Sequence, residues 1–398
     1  MQAVGERSDS VPRVRILRSV ELFAGAGGLA LGLQTAGFHP KLVVERDPRA
    51  IETLKANGGD GGSLGTKWPL LKDDVEHVDF HEFGDVDLVS AGPPCQPFSI
   101  GGLRLGRHDD RDAFPEAIRA IRETKPKVFL VENVRGLTFP AAAAYLEYTL
   151  AQLRVPSVVT TGDEEDHRQR IQAIPEKDRE YRVEWKLLNS ADYGIGQQRV
   201  RLMIVGVRSG LPEWHWPEPT HSQAALLAAL AGEDYWREHE LPDSVRDKSR
   251  AAMHKLRTTL RSESTGSLRW VTTRDVLADL GPPGSIPDDA HHRVVAGARL
   301  YKKHQGSVLD WPAKTVKAGV HGTPGGEHIV RLDDGTHRYL TVRECAALQG
   351  FPVSYKLPAI RSVALKQIGN AVPVGLGEVV GRQIASLLRG DGEDLHCG

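Results

Sequence analysis

Apolar positions come in short β-branched runs separated by longer amphipathic stretches, the pattern of strands alternating with helices around a mostly parallel sheet. Val20-Glu21-Leu22-Phe23 predicts a strand that runs into the turn Ala24-Gly25-Ala26-Gly27-Gly28, and Leu29, Leu31, Leu33 and Ala36 predict the helix after it. Further strands are expected at Lys41-Leu42-Val43-Val44, at 85–92 and at 126–131. A last pair, around 184–188 and 202–207, brackets Asp192-Tyr193-Gly194 and Gln197-x-Arg199-x-Arg201, whose two arginines are expected on one strand face. The fold class this predicts is α/β, a doubly wound mostly parallel sheet.

The alternation is lost after Arg208, where Trp214, Trp216, Pro217 and Pro219 mark a boundary. The expected division is 15–209 as the first domain, with a polar insertion near 155–181, then a smaller irregular domain at 210–354, and a returning segment at 355–391. The insertion predicts a solvated loop or one flanking a bound macromolecule. Within the second domain Val294-Val295 and Thr315-Val316 predict short strands, and Gly322 and Gly325-Gly326 predict turns. Thr341 and Glu344 have capping-box spacing at the start of a short helix stopped at Gly350, and a final helix is expected from about Gly375 to Leu388.

A chain of 398 residues can bury a large core. The absence of any long apolar run, and a polar start with Glu6, Arg7, Asp9 and Arg13, predict a soluble cytoplasmic protein without membrane attachment. The net charge of −1 gives no global attraction to nucleic acid, so such binding would need a local patch. One candidate is 246–320, with fourteen Lys and Arg against seven Asp and Glu. The acidic stretch before it, with Glu233, Asp234, Glu238 and Glu240, reads as a linker or a helix facing away from such a partner. Cys95, Cys345 and Cys397 are far apart and lack metal-ligand spacing, so neither disulfides nor a metal site is expected.

Cys95 stands in Pro93-Pro94-Cys95-Gln96-Pro97-Phe98-Ser99, directly after an apolar strand. Prolines stiffen that turn and the polar neighbours place it at a surface, so Cys95 reads as a presented nucleophile. Gly25-x-Gly27-x-x-Ala30, with Glu45 twenty residues on, fits a nucleotide-type ligand and leaves NAD, FAD and S-adenosylmethionine open. Glu132, in Glu132-Asn133-Val134, ends a buried strand, where open α/β sheets place ligand-contacting groups.

Together, Pro93-Pro94-Cys95-Gln96 with Phe98-Ser99, Phe23-x-Gly25-x-Gly27-Gly28, Glu132-Asn133-Val134, Gln197-x-Arg199-x-Arg201, Thr341 to Pro352 and Gln367 to Pro373 resemble the motifs of the DNA (cytosine-5)-methyltransferases of bacterial restriction-modification systems. The resemblance implies the S-adenosylmethionine-dependent methyltransferase fold with a target recognition domain. It implies catalytic roles for Cys95 (attack on cytosine C6), Glu132 (pairing with the cytosine edge) and Arg199 (approach to the flipped base), with Arg201 as support. Phe23, Gly25, Gly27, Gly28, Glu45, Asp74, Pro94 and Asn370 would bind S-adenosylmethionine. The partner implied is double-stranded DNA, engaged by a monomer. Alternatives are an RNA cytosine methyltransferase, disfavoured by the long recognition region, a nucleotide-binding oxidoreductase, and a DNA-binding homologue without turnover.

Overall fold

The computed structural model describes residues 15–94, 112–159, 163–250, 266–300, 305–319 and 328–390. Seven strands form the main sheet: β1 (Leu17–Leu22), β2 (Phe38–Glu45), β3 (Leu70–Lys72), β4 (Leu88–Ala91), β5 (Val128–Val134), β6 (Tyr181–Asn189) and β7 (Val200–Arg208). Their order is β3-β2-β1-β4-β5-β7-β6. The first five pair in parallel, and β7 runs antiparallel to both β5 and β6. β4 and β5 are buried on both faces, as their unbroken apolar runs require. The order reverses between β1 and β4, so a crevice opens beyond the carboxyl ends of those strands.

The helices of this half are α1 (Gly28–Thr35), α2 (Pro48–Gly58), α3 (Phe114–Thr124), α4 (Ala143–Arg154) and α5 (Glu164–Gln172). α5 corrects the expectation of a loop near 155–181. Asp163 caps it and Glu164, Glu165 and Asp166 fill its first turn, which suits the positive end of the helix dipole. Only His167 and Ile171 are buried, too few for a visible apolar stripe. The His167 ring bonds the Tyr148 hydroxyl (2.6 Å) and the Val158 carbonyl (2.8 Å), while the Arg168 guanidinium lies 4.0 Å over the Tyr148 ring. Ser157 and Arg154 bond Glu180, at the start of β6, so this excursion is anchored at the sheet end opposite the crevice.

Beyond Arg208 come α6 (Gln223–Ala231), α7 (Asp234–Glu238), α8 (Thr273–Leu280), α9 (Val342–Leu348), α10 (Arg361–Asn370) and α11 (Val374–Arg389). The short strands are β8 (His221–Ser222), β9 (Leu268–Arg269), β10 (Ser307–Val308), β11 (Ile329–Arg331) and β12 (His337–Tyr339). No strand forms at 294–295 or 315–316. Val316 instead gives its N–H to Gln197 and its carbonyl to Arg199. Gly322, Gly325 and Gly326 lie outside the described residues. The Thr341/Glu344 capping box forms as expected, and Cys345 behind it is fully buried, its thiol pushed up to about 12 by desolvation.

Of the two expectations for the acidic stretch, linker or helix, a helix forms over part of it, α7. Glu233 pairs with Arg246 and Arg250, and Glu238 with Arg269. Arg274 is held by Asp310 and Asp333. Arg246, Arg250, Arg269 and Arg274 are thus neutralised inside this region, around a core of Leu226, Leu230, Tyr235, Trp236, Trp270 and Trp311. A second core joins Ala26, Ala30 and Leu31 to Val316, Val330, Leu340, Cys345, Ile368 and Ala371, so the late segments pack directly on the glycine turn and α1.

α11 closes the chain against α1 through small residues. A Cβ on Gly32 would collide with the Val374 carbonyl and come within 2.7 Å of the Glu378 nitrogen, both backbone atoms that have no rotamer by which to yield. Gly32→Ala should therefore lower stability by about 1–3 kcal/mol in urea denaturation; an unchanged midpoint would contradict this packing.

Glu21, buried in β1, accepts hydrogen bonds from Ser19 (2.8 Å) and from Ser90 of β4. Burial raises its carboxyl to about 7, against the lowering effect of the two serines. A carboxyl raised in the folded state binds a proton that the unfolded chain has already released between about 4.5 and 7. Its contribution to stability is therefore present below that window and declines as pH rises through it. Glu21→Gln removes the titration, so the stability of the variant relative to wild type should rise across this window by on the order of 3 kcal/mol. A pH-independent difference in denaturant midpoints would contradict the assignment.

Candidate active site

The carboxyl ends of five strands converge on the crevice. From β1 the chain turns through Phe23, whose φ of 56° is unusual for an aromatic residue, and Gly25, whose φ is 55°. Phe23 packs its half-buried ring on the main core. Such backbone persists only where the surroundings impose it, here through Ala24 N–H bonded to the Val44 carbonyl at 3.1 Å.

The three expected glycines separate into two kinds. A Cβ on Gly25 would meet nothing within 4 Å, so this position faces open space where a ligand can approach. Gly27 is closely packed: at φ 78° its Cβ would lie 2.9 Å from Leu54 and 3.0 Å from the Tyr355 hydroxyl, so no side chain fits there. Gly28 is closely packed as well, since its Cβ would strike the Val372 carbonyl and sit 3.2 Å from Ala371.

Glu45, at the end of β2, accepts from the Gly25 N–H and the Asp47 N–H, each at 2.7 Å, and so ties the glycine turn to the next strand. After β3, Asp74 accepts from Arg46 at 2.8 Å, which holds its carboxyl below the usual range, and it caps the turn Val75–His77. The neighbouring Asp73 bonds His77 instead. Asn370, the exposed last residue of α10, stands next to Ala371 beside the glycine turn.

β4 ends at Ala91, and Gly92-Pro93-Pro94 continue along the crevice. Asn133 Nδ2 donates to the Pro93 carbonyl at 3.3 Å, and a Cβ on Gly92 would lie 3.8 Å from Glu132 Oε2. The segment leading to Cys95 thus runs beside Glu132. Cys95 itself, with Gln96 to Ser99, lies outside the described residues, as does Cys397.

Antiparallel pairing sets Val134 opposite Arg201 and Glu132 opposite Met203. This brings Arg201 Nε to 2.9 Å from Glu132 Oε1, with both side chains nearly buried. Desolvation raises the Glu132 carboxyl, opposed by the charges of Arg201 and then Arg199. Arg199, expected to face the base, has its guanidinium on the carbonyls of Val316 (2.8 Å), Gly369 (2.7 Å) and Ala371 (2.9 Å), at 1% exposure. Arg199 precedes β7 and points into the late segments, so Arg201 is the arginine that meets Glu132. The Gln-x-Arg-x-Arg spacing could nominate both arginines, but only the β5–β7 register shows which one meets Glu132. The roles of Asn133 and Arg46 had no signal beyond adjacency to acidic residues.

Among the described residues no helix is long and apolar enough to cross a membrane. The chain is similar to the Type II methyltransferase M.NgoMIV of Neisseria gonorrhoeae, 31% identical over 93% of this chain and 98% of the relative. It is also similar to M.PspPI of Psychrobacter sp. (strain TA137), 33% identical over 94% and 80%. Among solved structures it resembles the S. pombe Dnmt2 methyltransferase, with TM-score 0.57, 19% identity, and 95% and 99% of the two chains covered. Entamoeba histolytica methyltransferase EhMeth superposes with TM-score 0.54 at 13% identity, over 96% and 100%. These structural likenesses establish a shared methyltransferase fold. Residues 17–386 match the family described as C-5 cytosine-specific DNA methylase. With that match and relatives above 30% identity over nine-tenths of its length, this protein belongs to that family and is a DNA (cytosine-5)-methyltransferase.

Proposed function

We propose that the chain methylates a cytosine rotated out of a specific double-stranded DNA sequence, using S-adenosylmethionine and a covalent adduct between Cys95 and cytosine C6. The observation that carries the reading is the buried Glu132–Arg201 pair beside the strand end that leads to Cys95. Cytosine C5 is a poor nucleophile. Addition of a thiolate at C6 turns C5 into an enamine-like carbon while negative charge develops toward N3.

A carboxyl raised by burial is suited to donate a proton or hydrogen bond at N3, and the Arg201 guanidinium supplies fixed positive charge where that negative charge appears. After C5 gains the methyl group, its proton must leave and the C6–S bond must break to restore the ring, returning the Cys95 thiolate. A base inside a duplex is out of reach of such a buried pair, so it must leave the stack at a cost of a few kcal/mol.

The residues around Gly25 fit S-adenosylmethionine. The turn is open at Gly25, the Glu45 and Asp74 carboxylates stand after the neighbouring strands β2 and β3, and Phe23, Gly27, Gly28 and Asn370 would complete the pocket. When bound, the cofactor supplies an electrophilic methyl group. Pro94 would border both compartments. In the proposed division at 15–209, 210–354 and 355–391, the aromatic core around Tyr235, Trp236, Trp270 and Trp311 would organise the part that reads the major groove, in a monomer acting on cytoplasmic DNA.

Bisulfite sequencing of plasmid DNA from a methylation-free host tests the reading. Wild type should protect cytosines within one short motif, and Cys95→Ala should protect none while still binding the cofactor; protection by the variant would disprove the adduct. Glu45→Ala should raise the Kd for S-adenosylmethionine roughly tenfold, by loss of about 1.4 kcal/mol, with a smaller change in kcat. Unchanged affinity in calorimetry would remove Glu45 from the pocket.

Because Glu132 acts protonated and its pKa is raised, kcat should fall as pH rises through the Glu132 pKa. Glu132→Gln has no proton to lose. It should flatten that alkaline limb and slow transfer by roughly 10²–10⁴-fold. An alkaline limb that persists in the variant would assign it to another group.

A further inference from the structure

We propose that Arg199 is a positioning residue that couples the cofactor side of the cleft to the base side, an inference that rests on the reading given above. A guanidinium withdrawn from water ordinarily needs a carboxylate against it. Arg199 has none in hydrogen-bond contact among the described residues: its acceptors there are the carbonyls of Val316, Gly369 and Ala371, and its Nε has no acceptor among them.

Gly369 lies in the last turn of α10 and Ala371 caps it. The cation therefore sits at the negative end of a helix dipole and satisfies carbonyls that a helix terminus leaves unpaired. Gln349 completes the cap, its Nε2 donating to the Ile368 carbonyl at 2.6 Å. Gln197 holds Gln349 in turn (Nε2 to Oε1, 2.9 Å) and accepts from the Val316 N–H at 2.8 Å. Three polar side chains thus close one network over segments far apart in sequence.

Each end of this network reaches one compartment. Asn370 lies between the two capped carbonyls, and Val372 beyond it presses on Gly28 at the glycine turn. In the other direction Arg201, two residues from Arg199, holds Glu132. Apolar packing would join these segments at lower desolvation cost, but without fixing direction. Oriented bonds from one rigid guanidinium fix the wall at 370–372 relative to the Glu132–Arg201 pair, so that ordering one side favours the other.

The test compares wild type with Arg199→Met and Arg199→Lys. The readouts are the Kd of S-adenosylhomocysteine, with and without a duplex carrying the motif found by bisulfite sequencing, and the single-turnover transfer rate. In wild type the duplex should tighten S-adenosylhomocysteine roughly 5-fold or more, and in Arg199→Met this factor should fall to about 1. Transfer in Arg199→Met should slow by roughly 10²-fold while the Kd without DNA changes little. Arg199→Lys should recover part of both.

A Met variant that keeps the coupling factor and the rate while only its stability falls would overturn the proposal. A loss confined to DNA affinity, with a smaller salt dependence, would also overturn it by making Arg199 a phosphate contact. If Arg199→Met does not fold, Gln349→Met decides by the same two readouts, because it removes the cap and keeps the charge. A wild type that binds no S-adenosylhomocysteine would contradict the underlying reading and the proposal with it.

Discussion

The site depends on one buried contact, between the Glu132 carboxyl and the Arg201 guanidinium. Neither group is comfortable away from water, and each is tolerable there because the other is 2.9 Å away. The contact exists because β7 enters the sheet antiparallel, next to β5, and sets Arg201 opposite Val134. A one-residue slip in that ladder would turn Arg201 to the other face and leave Glu132 an unpaired acid. The one reversed strand of an otherwise parallel sheet is therefore what creates a charged pocket at the strand ends.

Around that contact the late part of the chain serves as a wall. α11 lies close on α1 because Gly32, Gly377 and Gly381 leave no side chain between the helices. That closeness brings Ala371 and Val372 onto the glycine turn, while Arg199 and Gln349 cap the helix just before them. The crevice is thus walled by both ends of the sequence, which is why the matched family region runs almost the full length of the chain.

Much of this was legible in the sequence. The strands at β1, β2, β4, β5, β6 and β7 follow from β-branched runs, and the Thr341 cap from its spacing. Short or weakly amphipathic elements were not legible: β3 has three residues, and α5 buries only two side chains. Residue type and spacing nominated the site but left orientation open. Gly25, Gly27 and Gly28 look alike in sequence, yet one borders open space and two are filled by Tyr355, Leu54 and the Val372 carbonyl. Arg199 and Arg201 look alike in sequence until the strand register sets Arg201 against Glu132. The acidic stretch around Glu233 reads as a linker or a helix facing away; it forms α7, and its ion pairs were hidden because the partners Arg246, Arg250 and Arg269 are distant in sequence.

In the proposed reaction the Glu132–Arg201 pair prepares cytosine for addition of Cys95 at C6. This role is tested most directly with a duplex carrying 5-fluorocytosine at the target position, where the fluorine blocks the proton loss that would release the enzyme. With S-adenosylmethionine present, wild type should form a complex that survives denaturing electrophoresis, and Arg201→Leu should form little of it while still binding the cofactor. A wild-type protein that methylates ordinary DNA yet gives no such complex, or an Arg201→Leu variant that forms it at the wild-type rate, would contradict the account.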